Sequence, residues 1–316
     1  MAPAHPLVSI VIPCFIRTSR QGALLEETLR TVDAQTCRDY EVIAVDDGSP
    51  VDVAAVVRRH PAARTVRRPN GGSAAARNTG IAESRGAYFV FLDGDDYLLP
   101  PALEAGLRAL GDHPACGFAV GPREEMTFDG DPVPWGIAAM PTATQLYEPL
   151  LGFDWYIIPP SSAMFTREAV MAVGGFRDPW GADDLDFYLR VARRFPARCY
   201  DSPPVTRYRR YAASSSRDGA RMLHSIREVY AREWPLVRGD TALEAAFRRG
   251  LSQLTSIFTD CLVENVEDRM RAGEWRGAAR AATLLARESP RRLLTLARRQ
   301  CANRWWALRG AASQQS

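Results

Sequence analysis

The chain has 316 residues, 46% hydrophobic and 24% charged, a globular balance that buries most of its unfolded surface without disulfide or metal staples and excludes a disordered or collagen-like chain. All 40 basic residues are arginine and the net charge is +3, which excludes chemistry built on a lysine, a P-loop or Schiff base included. No uncharged apolar run reaches the ~18 residues of a membrane span.

The first 120 residues alternate two patterns. Leu7–Phe15 is a near-continuous β-branched run, a strand buried on both faces. Gln21–Gln35 carries apolar residues at helical spacing. Tyr40–Asp46 is a second strand, Val51–His60 a short helix and Arg64–Arg67 a third strand. Gly72–Ser84 is Ala-rich and helical, and Ala87–Asp93 is a strand. This order predicts βαβ units and a mostly parallel α/β sheet flanked by helices. Ligands of such sheets sit at the carboxyl ends of the strands. Seven prolines between Gly121 and Pro160 predict edge strands and long loops. Thr166–Val173 and Asp183–Phe195 are expected as helices. Four more are expected over 217–234, 240–271, 274–287 and 290–309, forming a C-terminal α-helical extension. The charge also divides here: residues 1–216 hold 22 Arg against 26 acids, residues 217–316 hold 18 Arg against 11. The expected domains are therefore 1–216, which carries the acidic chemistry, and a basic helical region, 217–316.

Four segments carry chemistry. Asp93-Gly94-Asp95-Asp96 gathers three carboxylates at a strand end, where they repel one another and invite a hard divalent cation; an acidic turn in solvent accounts for them equally well. Asp46-Asp47-Gly48-Ser49 is either an Asx turn with a helix cap or an acceptor for a base or ribose. Asn70 to Gly80 opens a small-residue helix with glycines and carries Arg77, a geometry that brings backbone close to a ligand. Trp180-Gly181-Ala182-Asp183-Asp184 begins a helix. Its aspartates either compensate the helix dipole or supply a general base in a cleft walled by Trp180.

These segments, in the order VSIVIPCF, ETLRTVDAQT, DYEVIAVDDGS, NGGSAAARNTGI, GAYFVFLDGDDYLLP, VGGF and ADDLDFYLRV, resemble family 2 glycosyltransferases of the Rossmann-like GT-A fold over about residues 7–211. The resemblance implies a nucleotide-sugar donor, above all a UDP-sugar, and a divalent metal, Mn2+ or Mg2+. It also implies inversion at the anomeric carbon, in glycan or polysaccharide biosynthesis. It places Pro13 and Phe15 beside the nucleobase, Asp47 on uracil with Asp46 its neighbour, and Arg77 and Gly94 near the donor. Asp93 and Asp95 match the DxD pair for metal and diphosphate. Asp184 matches the base that deprotonates the acceptor hydroxyl, with Asp183 beside it. The family often ends its catalytic domain with Tyr-Arg-x-His; here Tyr211 stands in the histidine's place, so Arg209 or Arg210 is expected to bring positive charge to the diphosphate.

Two rivals remain beside this reading. A nucleotidyltransferase acting on sugar phosphates usually wants a glycine-rich basic loop after the first strand, and Pro13–Arg20 has no glycine. A non-catalytic nucleotide- or glycan-binding module is the second. A nucleic-acid role for the arginines is disfavoured by the acidic clusters of the first domain. The acceptor is left open among a lipid-linked glycan, a polysaccharide end, a protein and a small molecule.

The six cysteines form no CxxC pair, and Met1–Pro6 lacks the order of a secretory signal, so a cytoplasmic protein is expected. In the tail, residues 287–309 hold seven arginines and one acid, with Leu294, Ala297, Cys301, Trp305 and Leu308 on one stripe. This helix either packs on the preceding helices or lies peripherally on the inner face of the cell membrane, each basic residue contributing ~1 kcal/mol.

Overall fold

Strand β1 (Val8–Cys14) is buried along almost its whole length, as its apolar sequence requires. The structure, a computed structural model, describes residues 6–134, 140–154, 159–177, 181–211 and 214–299. After β1 come α1 (Ser19–Asp33), β2 (Tyr40–Asp46), α2 (Val53–Val57), β3 (Ala63–Arg67), α3 (Ser73–Glu83) and β4 (Tyr88–Phe91). Each follows the expected order within a few residues. A capping box between Thr18 and Gln21 starts α1.

The middle of the chain adds β5 (Tyr97–Leu98), α4 (Ala102–Gly111), β6 (Phe118–Val120), β7 (Arg123–Met126), β8 (Pro132–Val133), α5 (Tyr147–Leu151), β9 (Ala163–Thr166), α6 (Arg167–Ala172), α7 (Asp183–Ala192), β10 (Ala197–Cys199) and β11 (Thr206–Arg209). Two sheets result. The seven-stranded sheet runs β10-β6-β9-β4-β1-β2-β3, and β9 alone is antiparallel to its neighbours. The four-stranded sheet runs β5-β11-β7-β8. In the large sheet β1 lies between β2 and β4, pairing Val11 with Ile43 and with Phe91. The carboxyl ends of these three strands therefore share one edge, and Phe15, Asp47 and Asp93 gather there. Helix α3 is pressed on β1 at Gly80, where a Cβ would lie 2.2 Å from the Val11 side chain.

The C-terminal helices are α8 (Gly219–Val237), α9 (Thr241–Arg271) and α10 (Trp275–Glu288), followed by a helical segment over 290–299. They pack on the α/β layer: Tyr230 donates to the Leu151 carbonyl at 2.6 Å, and one apolar cluster runs from Val11 to Leu296. The last segment docks on α9 through Leu293, Leu296 and Arg292, whose guanidinium bonds Ser256 and Asp260. The stripe expected from the sequence differs: Leu294 and Ala297 face solvent, because the packed face is set one position away. Cys301, Trp305 and Leu308 lie outside the described residues. Among the described residues no helix is long and apolar enough to cross a membrane.

Candidate active site

The acidic loop after β4 is built from three carboxylates in different surroundings. Asp93 is partly exposed and accepts from Arg77 at 2.7 Å. Asp95 accepts from the Tyr211 hydroxyl at 2.8 Å. Burial and the neighbouring Asp93 raise its pKa, while Tyr211 and Arg209 pull it back. Asp96 is fully buried, takes the Arg209 backbone N–H at 3.0 Å and the Ser161 hydroxyl at 3.2 Å, and burial pushes its pKa well up. It is a structural latch between the acidic loop and β11.

Arg77 links this loop to the second acidic pair. It is buried in α3, donates to Asp93 and to Asp183, and lies 5.2 Å from the Phe176 ring centroid. Phe176 stacks on Phe187 with centroids 4.1 Å apart. The turn that carries Phe176 is clamped to α3 by reciprocal bonds between Asn78 and the Phe176 backbone, both 2.8 Å. At Gly175, φ is +72° and a Cβ would lie 2.4 Å from the Asn78 oxygen. The VGGF sequence is thus the part that fits against the floor of the site.

Asp183 and Asp184 open α7, where negative charge suits the helix amino end. Asp183 is nearly buried between Arg77 and Ser73. Asp184 is half-buried and, among the described residues, accepts only from the N–H of Leu185, next in its own helix, at 2.7 Å. Burial first, then the Asp183 charge, push its pKa up to about 7, against the pull of Arg77. It is the carboxyl best suited to hold and release a proton near neutrality.

At the ends of β1 and β2, Phe15 is 37% exposed with the Arg17 guanidinium over its ring, and Pro13 is half-buried. Asp46 and Asp47 are both buried. Asp46 holds Ser49 and Arg67, which is the Asx-turn role. Asp47 takes the Gly71 and Gly72 N–H groups, the latter at 2.7 Å, together with Arg68. The base contact expected of Asp47 would require Arg68 or the loop amides to give way, since its oxygens are spent on the loop.

The expectation for Arg209 is corrected. Its side chain has no exposure and bonds the Asp95 carbonyl, the Phe128 carbonyl and Glu27, so it braces the acidic loop from inside. Arg210 is exposed and bonds Glu125 at 2.9 Å. Gly94 has room for a Cβ, whose nearest neighbours would be 3.7–3.8 Å away. Trp180 lies outside the described residues.

Asp93 and Asp95 suit a hard divalent ion: two carboxylates on one loop, with no group of three or more His, Cys, Asp or Glu ligands among the described residues. Such a set leaves coordination positions for phosphate oxygens and water, the habit of Mg2+ and Mn2+.

A mostly parallel sheet, an acidic loop at its carboxyl edge and a poised aspartate at a facing helix start define a GT-A glycosyltransferase. The chain belongs to glycosyl transferase family 2, whose model matches residues 9–174. The uncharacterized protein MT1568 of Mycobacterium tuberculosis is 30% identical over 250 residues, covering 73% of this chain and 75% of its own. Two solved structures share the fold. Staphylococcus aureus TarS 1–349 in complex with UDP-GlcNAc has a TM-score of 0.59 at 14% identity, over 92% of this chain and 83% of that one. The mannosyltransferase PcManGT from Pyrobaculum calidifontis in complex with GDP-Man and Mn2+ has 0.57 at 22%, over 93% and 87%.

Proposed function

We propose that this glycosyltransferase moves a sugar from a UDP-sugar to an acceptor hydroxyl in a single inverting displacement, with Asp184 as the base. The observation that carries the reading is the placement of Asp184. Its carboxyl pKa is raised to about 7 and its one hydrogen-bond partner among the described residues is a backbone N–H, while Arg77 and Asp93 lie close enough to act on its charge. A group of that kind takes the acceptor proton as the new bond forms. The acceptor oxygen attacks the anomeric carbon, the bond to the diphosphate breaks, and the electron pair leaves with the nucleotide.

Phe15 and Pro13 border the base, and Asp47 fixes the glycine loop behind it. Arg77 holds Asp93 and Asp183 in register, so the donor and acceptor sides keep a fixed relation. Asp93 and Asp95 would hold Mn2+ or Mg2+, which when bound neutralises charge on the departing diphosphate.

The test is a screen of UDP- and GDP-sugars, with and without Mn2+, following release of the nucleoside diphosphate by the wild type and by Asp184→Asn. UDP released by the wild type and not by the variant supports the reading. Release of GDP alone reassigns the donor, and pyrophosphate formed from UTP and a sugar phosphate overturns it.

A further inference from the structure

We propose that the C-terminal helices carry a docking surface for an anionic lipid bilayer, formed by one arginine stripe along α10 and the helical segment 290–299. Arg276, Arg280, Thr283 and Arg287 lie at spacings of three and four on one side of α10, and Arg291, Leu294 and Arg298 do the same on the helical segment that follows the non-helical Ser289. All seven are exposed. The opposite side is the buried one, with Ala278, Ala281, Leu285 and Leu296 packed into the core.

The five arginines of the stripe differ from most other arginines of this region, although Arg238, Arg269 and Arg299 likewise show no ion pair among the described residues and Arg269 bonds the Gly277 carbonyl instead. Arg217, Arg227, Arg248, Arg249, Arg271 and Arg292 all reach carboxylates. Among the described residues no side chain of the stripe arginines has an ion pair. Acids are few around the stripe: residues 274–316 contain nine arginines and two acids, Glu274 at the start of α10 and Glu288, and Glu288 is bound to Arg227. Single-sign charge along one face repels itself and calls for an anionic partner.

The apolar residues within this charge select the partner. Leu294 is 59% exposed inside the stripe, and Trp275 is 65% exposed at its start. A duplex would satisfy the arginines with its phosphates and leave both in water, and a single strand could stack on Trp275 but would leave Leu294 in water. The headgroup region of a bilayer takes arginine and an inserted leucine or tryptophan together.

The start of α8 links the stripe to the loop before the acidic pair. Arg280 lines a cavity of about 230 Å³ with Asp218 and Ala220 at the start of α8. The next residues of α8, Arg221 and Met222, abut Gly181, which directly precedes Ala182 and the acidic pair. A surface bound along α10 would lie toward the acceptor side, where a lipid-carried acceptor would be met. This last step rests on Asp184 being the base; the lipid contact does not.

The test uses the full chain and flotation with vesicles of phosphatidylcholine alone or with about a third phosphatidylglycerol. Binding to the anionic vesicles is expected at low salt and is lost at high salt. R287Q/R291Q should weaken it about thirtyfold, taking ~1 kcal/mol for each basic residue. The control R248Q/R271Q removes equal charge from α9 and should cost less than about threefold. Arginine and glutamine have similar helix propensity, so these variants keep the fold. The thermal shift given by UDP with Mn2+ should be the same in R287Q/R291Q as in wild type, which separates failure of this surface from failure of the active-site reading. Equal binding to both vesicle types, equal loss in both variants, or tighter binding to oligouridylate than to the anionic vesicles overturns the proposal.

Discussion

Arg77 and Asp183 form a buried ion pair that joins α3 to the first turn of α7 across 106 residues of chain. The same guanidinium reaches Asp93, so one side chain spans both acidic segments. Replacing Arg77 by Met leaves Asp183 buried without its cation, and breaking a buried pair in this way costs roughly 3–5 kcal/mol. Chemical denaturation should show that loss. Arg77→Lys should recover only part of it, because an ammonium is a point charge and cannot bridge two carboxylates as a planar fork does. A loss below ~1 kcal/mol in Arg77→Met would mean that the bridge is not a structural element.

Asp184→Asn should lower turnover by roughly two to four orders of magnitude, with donor binding little changed. In the wild type, turnover should climb as pH rises through about 7 and then level off, because only the carboxylate accepts a proton. Initial rates between pH 5 and 9 check both statements. A variant that keeps more than a tenth of wild-type turnover would move the role to Asp183.

The same carboxyl bears on stability. Its folded pKa, about 7, lies above its ordinary value of 3.8. Its contribution is therefore fully present below about pH 4 and is lost as pH rises through 7. Above that pH the folded protein holds a partly desolvated charge beside Asp183. Asp184→Asn should then be more stable than wild type at pH 8, by about 1–2 kcal/mol, with the gain gone at pH 4. Melting curves at the two pH values should diverge accordingly; equal shifts at both would contradict the raised pKa.

Asp95→Ala should abolish the part of UDP stabilisation that depends on Mn2+ and leave the unliganded fold standing, since one of three mutually repelling carboxylates is removed. The readout is the Tm shift with UDP, with and without Mn2+. An undiminished shift in the variant would take Asp95 out of the metal assignment.

Gly175→Ala should destabilise by about 2–4 kcal/mol. The substitution combines a left-handed backbone with a Cβ 2.4 Å from the Asn78 oxygen that holds the turn. If urea midpoints of the two proteins coincide, the clamp between Asn78 and Phe176 is not needed.

The parallel core was legible because β1, β2 and β4 are buried on both faces and read as unbroken apolar runs beside Ala-rich or amphipathic helices. Strands β9 and β11 are four residues each. Their place is decided by partners far along the chain, Val90 and Phe118 for β9, Tyr97 and Arg123 for β11. Helix α4 was not among the expected elements, although Leu103, Gly106 and Leu110 are buried at helical spacing along it. The acidic residues were legible as clusters and not as individuals. Asp93, Asp95 and Asp96 look alike in sequence, whereas burial and the Ser161 and Arg209 contacts set Asp96 apart. The inward position of Arg209 has the same origin: its acceptors belong to Asp95, Phe128 and Glu27, none adjacent in sequence.

The chain leaves one sheet at Phe91 and enters the other at Tyr97, so the four residues Asp93 to Asp96 are the seam between them. Asp93 is held from the side of the large sheet by Arg77, and Asp95 from the side of the small sheet by Tyr211. The separation of the two carboxylates is thereby a reading of how the sheets are set against each other. With Asp93 and Asp95 as the proposed ion ligands, changes on β7 or β8 would be expected to alter ion affinity. Among variants that keep Asp93 and Asp95, strength of metal dependence should then follow how the small sheet is set against the large one.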